Sequence, residues 1–162
     1  NVLVNTPLLR DGLRLVATQS AINCAGLFVV STLNKWGVRG ILLDAVLVTE
    51  ELVTNAVRAT GVMEARVDWN ELTRIEFITV RLLGFKDSIR IEVWDSAPNP
   101  PPLADDAGSS IKRDYYPAPR GKVVWAELSL APEHRNLPTP PPEQFRQDPD
   151  TIRRVRDGLE DL

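Results

Sequence analysis

A carboxylate and a carboxamide lie four residues apart in the middle of the sequence, at Glu51 and Asn55. Side chains at this spacing stack on one face of an α-helix. The pair is therefore placed to act together on a molecule bound beside the helix. The same spacing is common among surface side chains that bind nothing, so the surrounding residues must decide between the two interpretations.

An apolar stripe runs along the same predicted helix, next to the polar pair. Its members recur every three or four residues, as expected of a face packed on a core: Ile41, Ala45, Val48, Leu52, Ala56 and Ala59. Glu51 and Asn55 fall at the edge of this stripe. The pattern predicts a helix that is buried on one side and carries the two polar side chains at the boundary of the core.

The run 51–56, Glu-Leu-Val-Thr-Asn-Ala, resembles the N box of the ATPase superfamily that includes gyrase and histidine kinases. The match is closest to the bacterial anti-sigma-factor serine kinases. The resemblance implies that Asn55 ligates the Mg²⁺ that bridges the phosphates of ATP, and that Glu51 acts as a base toward the attacking hydroxyl. Glu50 is a rival for the base, but it lies five residues from Asn55 and is expected to point off the stripe.

Asp95 follows a predicted strand, in a run that continues to Pro100. An Asp in a turn after a strand is common. The same superfamily carries an Asp here, in a D-x-G-x-G motif, that accepts a hydrogen bond from the adenine amino group. The resemblance implies this role for Asp95 and a preference for adenine over guanine, whose corresponding edge carries an acceptor. Ala97 and Asn99 stand where the family has glycines, and we assign Ala97 to the nucleotide site with Asp95.

The region 103–120 is where the family carries a glycine-rich lid that wraps the phosphates. The run from Ala107 to Lys112 has one glycine, Gly108, which we assign to the nucleotide site. Two explanations stay open: the protein lacks a lid and binds ATP poorly, or a lid between Ser109 and Lys112 is omitted from the sequence. The resemblance resumes at Gly121, and Val123 stands where many relatives have a Thr that helps to hold adenine.

Composition excludes several classes of protein. The chain has 162 residues, 43% of them hydrophobic and 25% charged, as in a soluble globular domain. Its net charge of −3 argues against a general nucleic-acid binder, and no apolar run reaches the length of about 20 residues that spans a bilayer. The one cysteine, Cys24, lies in an apolar run, which predicts a buried thiol in a reducing cytoplasm.

The remaining pattern predicts two helices followed by strands. One helix, capped by Thr18 or Ser20, runs to about Trp36, and the helix of Glu51 runs to about Thr60. Strands are predicted at residues 1–7, 13–17, 65–69, 74–83, 89–95 and 121–130. This order indicates an α+β two-layer sandwich, with the helices on one face of a mixed, mostly antiparallel sheet. The resemblance implies that this is the histidine-kinase-type ATP-binding fold.

Residues 1–132 are predicted to form this domain, and residues 133–162 a separate segment. The segment is proline-rich at 138–142 and ends in a short amphipathic helix, predicted at 148–162, that docks on the domain or on a partner. The single histidine, His134, lies in this segment and has no histidine or cysteine neighbours with which to bind a metal.

The resemblance thus implies an ATP-binding, anti-sigma-factor-like serine/threonine protein kinase that regulates transcription. Its cofactors would be ATP and Mg²⁺, and its partners a sigma factor and an antagonist protein that is phosphorylated, with no nucleic acid and no membrane. A homodimer is one assembly to consider, and the cytoplasm is the expected compartment. The alternative is a regulatory protein of the same fold that binds a nucleotide and transfers nothing.

Overall fold

The computed structural model describes residues 6–61, 75–103 and 111–131. Two helices and five strands form there, in the following order: β1 (Leu9–Val16), α1 (Ser20–Lys35), α2 (Leu42–Thr60), β2 (Phe77–Gly84), β3 (Ser88–Asp95), β4 (Lys112–Pro117) and β5 (Lys122–Ser129). Several predictions lie entirely or almost entirely outside the described residues. They are the strands at 1–7 and 65–69, the assignment of Gly108, and the segment 133–162 with His134.

The five strands form one sheet in the order β1-β2-β3-β5-β4, and every neighbouring pair is antiparallel. The prediction of a mixed sheet is therefore wrong for the described strands. A parallel neighbour needs a long crossover that returns the chain to the same end of the sheet. Short turns at 85–87 and 118–121 join β2 to β3 and β4 to β5 instead.

The core lies between the two helices and one face of the sheet, which confirms a two-layer α+β architecture. Alternate residues of the central strands point into it, as the two-residue period of a strand requires. The sheet contributes Ile78, Val80, Leu82, Ile89, Ile91, Val93, Val124, Ala126 and Leu128, all buried. The helices contribute the predicted stripe residues Ala45, Val48, Leu52 and Ala56, together with Val53 and Val57. Burial of these apolar side chains is the main force that holds α2 against the sheet.

Local predictions fail at the N-terminus of α1 and at Cys24, and one strand is missing from the predictions. Neither Thr18 nor Ser20 caps α1, because Gln19 occupies the N-cap position and no side-chain cap bond forms. Cys24 is exposed, because the helical rotation of about 100° per residue carries it off the face that buries Ala25. Strand β4 was not predicted at all.

Strand β4 escaped prediction because it lies at the edge of the sheet. Its residues are half-buried or exposed along their whole length, so no apolar alternation marks it. Pro117 ends it, in keeping with the restriction of proline to edge strands and strand ends. The predicted end of the first helix near Trp36 is confirmed, since Trp36 is the C-cap of α1 and Gly37 follows with a φ of +75° that glycine adopts freely. Neither of the two described helices is long and apolar enough to cross a membrane.

Candidate functional site

Helix α2 carries Glu51 and Asn55 as half-buried side chains beside the buried residues Leu52 and Ala56. The two polar side chains thus lie at the edge of the face that packs on the sheet. Asn55 lines a pocket between the second half of α2, the loop that follows β3 and the start of β5.

This pocket also brings together Asp95 and Ala97, which the sequence placed in the nucleotide site with Asn55. Its other lining residues are Leu52, Ala56, Ala59, Asn99, Pro100, Pro101, Pro102, Lys122 and Val124. The volume is about 100 Å³, below the ~300–1,000 Å³ typical of ligand pockets. A ligand as large as a nucleoside triphosphate would place one end in the pocket and extend beyond it.

The pocket contains a buried ion pair that sequence reasoning missed. The Lys122 ammonium donates to Asp95 Oδ1 at 2.8 Å and to the Ala97 carbonyl oxygen at 3.0 Å. The Ala97 backbone N–H donates to the same Asp95 oxygen at 2.9 Å. Only 1% of Asp95 and 4% of Lys122 is exposed. Removing one partner from such a pair typically destabilises a protein by about 3–5 kcal/mol, because the other charge is left buried and uncompensated.

A sequence signal for Lys122 did exist. On β5 the inward-facing positions are Lys122, Val124, Ala126 and Leu128, and Lys122 faces Asp95 in the register of β3 and β5. A lysine at a core-facing position requires a partner, because a buried ammonium group is costly unless it is paired. The alternation along β5 therefore indicated a buried carboxylate near Lys122.

Glu51, the predicted base, forms an ion pair of its own. Its carboxylate contacts the Arg113 guanidinium at 2.5 Å. The Glu51 side chain is 40% exposed and that of Arg113 is 13% exposed. Arg113 lies on β4 and Lys122 on β5, so a single β-hairpin supplies a cation to each of the two carboxylates that the sequence assigned to the site.

The rival base, Glu50, faces a different surface. It lines a groove between α1 and α2 together with Asn23, Gly26, Leu27, Val30 and Val46. Its position agrees with the expectation that it points off the stripe of Asn55. Glu51 is therefore the carboxylate of this pair that lies toward β4.

Gly121 fixes the approach of the β4–β5 turn to the Asp95 loop. Its φ is +97°, and a Cβ atom at this position would lie 1.9 Å from the Asp95 carbonyl oxygen. No side chain fits at that distance, so the close approach that brings Lys122 to Asp95 depends on glycine.

We expect Gly121→Ala to lower the free energy of unfolding by at least about 2 kcal/mol, since it combines backbone strain with a direct overlap. Gly37→Ala is the matched control, because Gly37 also has a positive φ but no atom lies within 4 Å of its added Cβ. Its cost should stay near the strain alone, about 1–2 kcal/mol. Denaturant titrations of both variants measure the difference. Equal losses of unfolding free energy in the two variants would show that close contact between the turn and the Asp95 loop does not limit the side chain at position 121.

A second polar cluster lies on the opposite face of the sheet. Glu92 accepts a hydrogen bond from the Tyr116 hydroxyl at 3.1 Å and pairs with Arg81 at 3.0 Å. Burial raises the pKa of the Tyr116 hydroxyl, and the neighbouring Glu92 carboxylate raises it further. This cluster ties β2, β3 and β4 together and is separate from the pocket.

The metal that the resemblance implies is compatible with Asn55. Within the described residues there is no group of three or more His, Cys, Asp and Glu side chains that could hold a metal ion. Mg²⁺ in nucleotide sites is usually held by one or two protein oxygen ligands, with phosphates and water completing the coordination. The Asn55 carboxamide, half-buried at the pocket, supplies one such oxygen.

A comparison of the chain with known protein families and with curated protein sequences finds no match.

Proposed function

We propose that this protein is an ATP-binding serine/threonine protein kinase of the anti-sigma-factor type. It would regulate transcription through a sigma factor and a phosphorylated antagonist protein. The observation that supports the proposal is the pocket that Asn55 and Asp95 line together. These two residues are 40 positions apart in the chain, and the resemblance assigns both of them to the nucleotide.

In this proposal each side chain has a separate task. Asp95 would accept a hydrogen bond from the base in the pocket, and Asn55 would supply an oxygen ligand to Mg²⁺. Glu51 orients the hydroxyl of the protein substrate and takes its proton, for which it must share or release Arg113. ATP would supply its γ-phosphoryl group to the hydroxyl oxygen and leave as ADP, and Mg²⁺ would supply most of the charge neutralisation that the transfer requires.

A second candidate function is a nucleotide-binding regulator that transfers nothing. Two observations favour it: Glu51 is already paired with Arg113, and Asp95 with Lys122. A carboxylate that is already in contact with a cation must give up that contact before it can take a proton from a substrate hydroxyl. The two candidates share the fold and the pocket and differ in the use of Glu51.

Both candidate functions require the protein to bind ATP. Titration of the purified protein with ATP, once in the presence of Mg²⁺ and once in the presence of EDTA, tests this binding. We expect saturable binding that is tighter when Mg²⁺ is present. Undetectable binding of ATP at millimolar concentration in both conditions would refute both candidates.

Radiolabel transfer from ATP to a candidate antagonist protein then separates the two. Transfer supports the kinase, whereas binding without transfer to any antagonist tested supports the regulator.

A further inference from the structure

The Asp95–Lys122 pair has hydrogen-bonding capacity left for a ligand. An ammonium group has three N–H donors, and the structure gives Lys122 two acceptors, Asp95 Oδ1 and the Ala97 carbonyl oxygen. A carboxylate has two oxygens, and both bonds that the structure gives Asp95 fall on Oδ1. Among the described residues, Asp95 and Lys122 are the charged side chains that line the pocket. The pocket therefore offers an acceptor and a donor side by side.

A carboxylate alone would distinguish the two purine bases. Adenine carries an amino group at position 6, which a carboxylate accepts from, whereas guanine carries a carbonyl oxygen there. Two acceptors that face each other in a buried site leave both unpaired, which is costly. A site with only the carboxylate is thus expected to reject guanine.

Lys122 removes this basis for rejection. In guanine the oxygen at position 6 stands beside an N–H donor at position 1, so Lys122 can donate to the first while Asp95 accepts from the second. Adenine needs only Asp95, which accepts from its amino group, so Lys122 matters for guanine alone. Asp95 and Ala97 leave one of the three N–H donors of Lys122 unused, and one donor is enough for the oxygen of guanine.

We propose that Lys122 makes the base pocket accept guanine as well as adenine, so that the protein binds GTP and ATP alike. The inference rests on the proposed function, because it requires a nucleotide base in the pocket. It goes beyond that function by replacing the adenine preference expected from Asp95 alone with a tolerance for both purines.

Binding titrations of the parent protein with ATP, GTP, ITP and purine riboside triphosphate test the inference. ITP keeps the oxygen at position 6 and the N–H at position 1, and purine riboside lacks any group at position 6. We expect ATP, GTP and ITP to bind within about threefold of one another. Purine riboside triphosphate should bind about tenfold or more weakly, since it lacks one hydrogen bond to a charged group.

Lys122→Met supplies the protein side of the test, with Lys86→Met as the matched control. Lys86 is an exposed lysine in the β2–β3 turn, remote from the pocket. In Lys122→Met the affinity for GTP should fall about tenfold or more relative to ATP, whereas Lys86→Met should keep the parental ratio. Circular dichroism establishes that each variant is folded, and if Lys122→Met is unfolded the ligand series on the parent decides.

The outcomes separate the inference from the function on which it rests. A parental preference for ATP over GTP above tenfold, or an unchanged ratio in folded Lys122→Met, overturns the role of Lys122 and leaves the ATP site standing. Absence of binding by every nucleotide overturns the proposed function and the inference together.

Discussion

Asn55→Ala is expected to remove the Mg²⁺-dependent part of ATP binding and to leave the fold intact. The carboxamide of Asn55 is half-buried and lines the pocket, whereas the apolar residues that anchor α2 lie beside it on the buried face. Loss of a group that merely orients a metal ligand typically costs ~10–100-fold in metal affinity. Asn55 is itself a metal ligand in this proposal, so we expect Asn55→Ala to raise the Kd of ATP in the presence of Mg²⁺ by at least this factor.

The design isolates the metal from the rest of the site. In EDTA the parent and Asn55→Ala should bind ATP equally, because the variant lacks only the metal ligand. Thr54→Ala is the matched control, since Thr54 precedes Asn55 on α2 and is also half-buried but does not line the pocket. Its affinity for Mg·ATP should remain parental. If Asn55→Ala and the parent bind Mg·ATP with equal affinity, Asn55 does not belong to the site.

The sequence predicted the helical layer well because periodicity is a local signal. The end of α2 at Thr60 and the buried positions Ala45, Val48, Leu52 and Ala56 follow from a repeat of three or four residues. The strand that ends at Asp95 was equally readable, since apolar and polar residues alternate along it. The assignment of these elements to the ATPase fold remains a prediction, because it rests on short motifs.

The edge strand β4 was not predictable by the same means. Alternation appears only where one face of a strand is buried, and the residues of β4 are half-buried or exposed. Cys24 shows a different limit of prediction from sequence. It lies in an apolar run but is exposed, because an apolar run does not by itself say which of its members face the core. Both errors arise where burial is partial.

The two ion pairs of the site depend on contacts between distant parts of the chain. Arg113 is 62 residues from Glu51, and Lys122 is 27 residues from Asp95. The spacing of Glu51 and Asn55 predicts that they lie together on a helix, but it carries no information about which strand comes to lie beside them. The inference about base selectivity follows from such a contact and not from the motif that suggested the nucleotide site.

The contact between Glu51 and Arg113 bears on catalysis more than on stability. Glu51 is 40% exposed, although Arg113 is only 13% exposed. Glutamine at position 51 keeps a side-chain oxygen that can accept from the Arg113 guanidinium, so Glu51→Gln should leave the protein folded. An effect of Glu51→Gln on phosphate transfer can then be assigned to the chemistry of the carboxylate.

We expect Glu51→Gln to bind ATP at least as well as the parent and to transfer phosphate about 10²–10⁴-fold more slowly, the usual contribution of a general base. Glutamine keeps the shape of the side chain and loses the proton acceptor. The negative charge of Glu51 also disappears from the neighbourhood of the triphosphate, which explains why the binding of ATP should not weaken. The measurements are radiolabel transfer to a candidate antagonist protein and a nucleotide titration on the same preparation.

Glu50→Gln is the matched control, because it makes the same chemical change one residue away, on the side of α2 that faces α1. It should transfer phosphate at the parental rate. Undiminished transfer by Glu51→Gln with a loss in Glu50→Gln would assign the base to Glu50, and loss of binding and transfer together would make Glu51 structural. If the parent binds ATP and transfers nothing to any antagonist tested, the result supports the regulatory function.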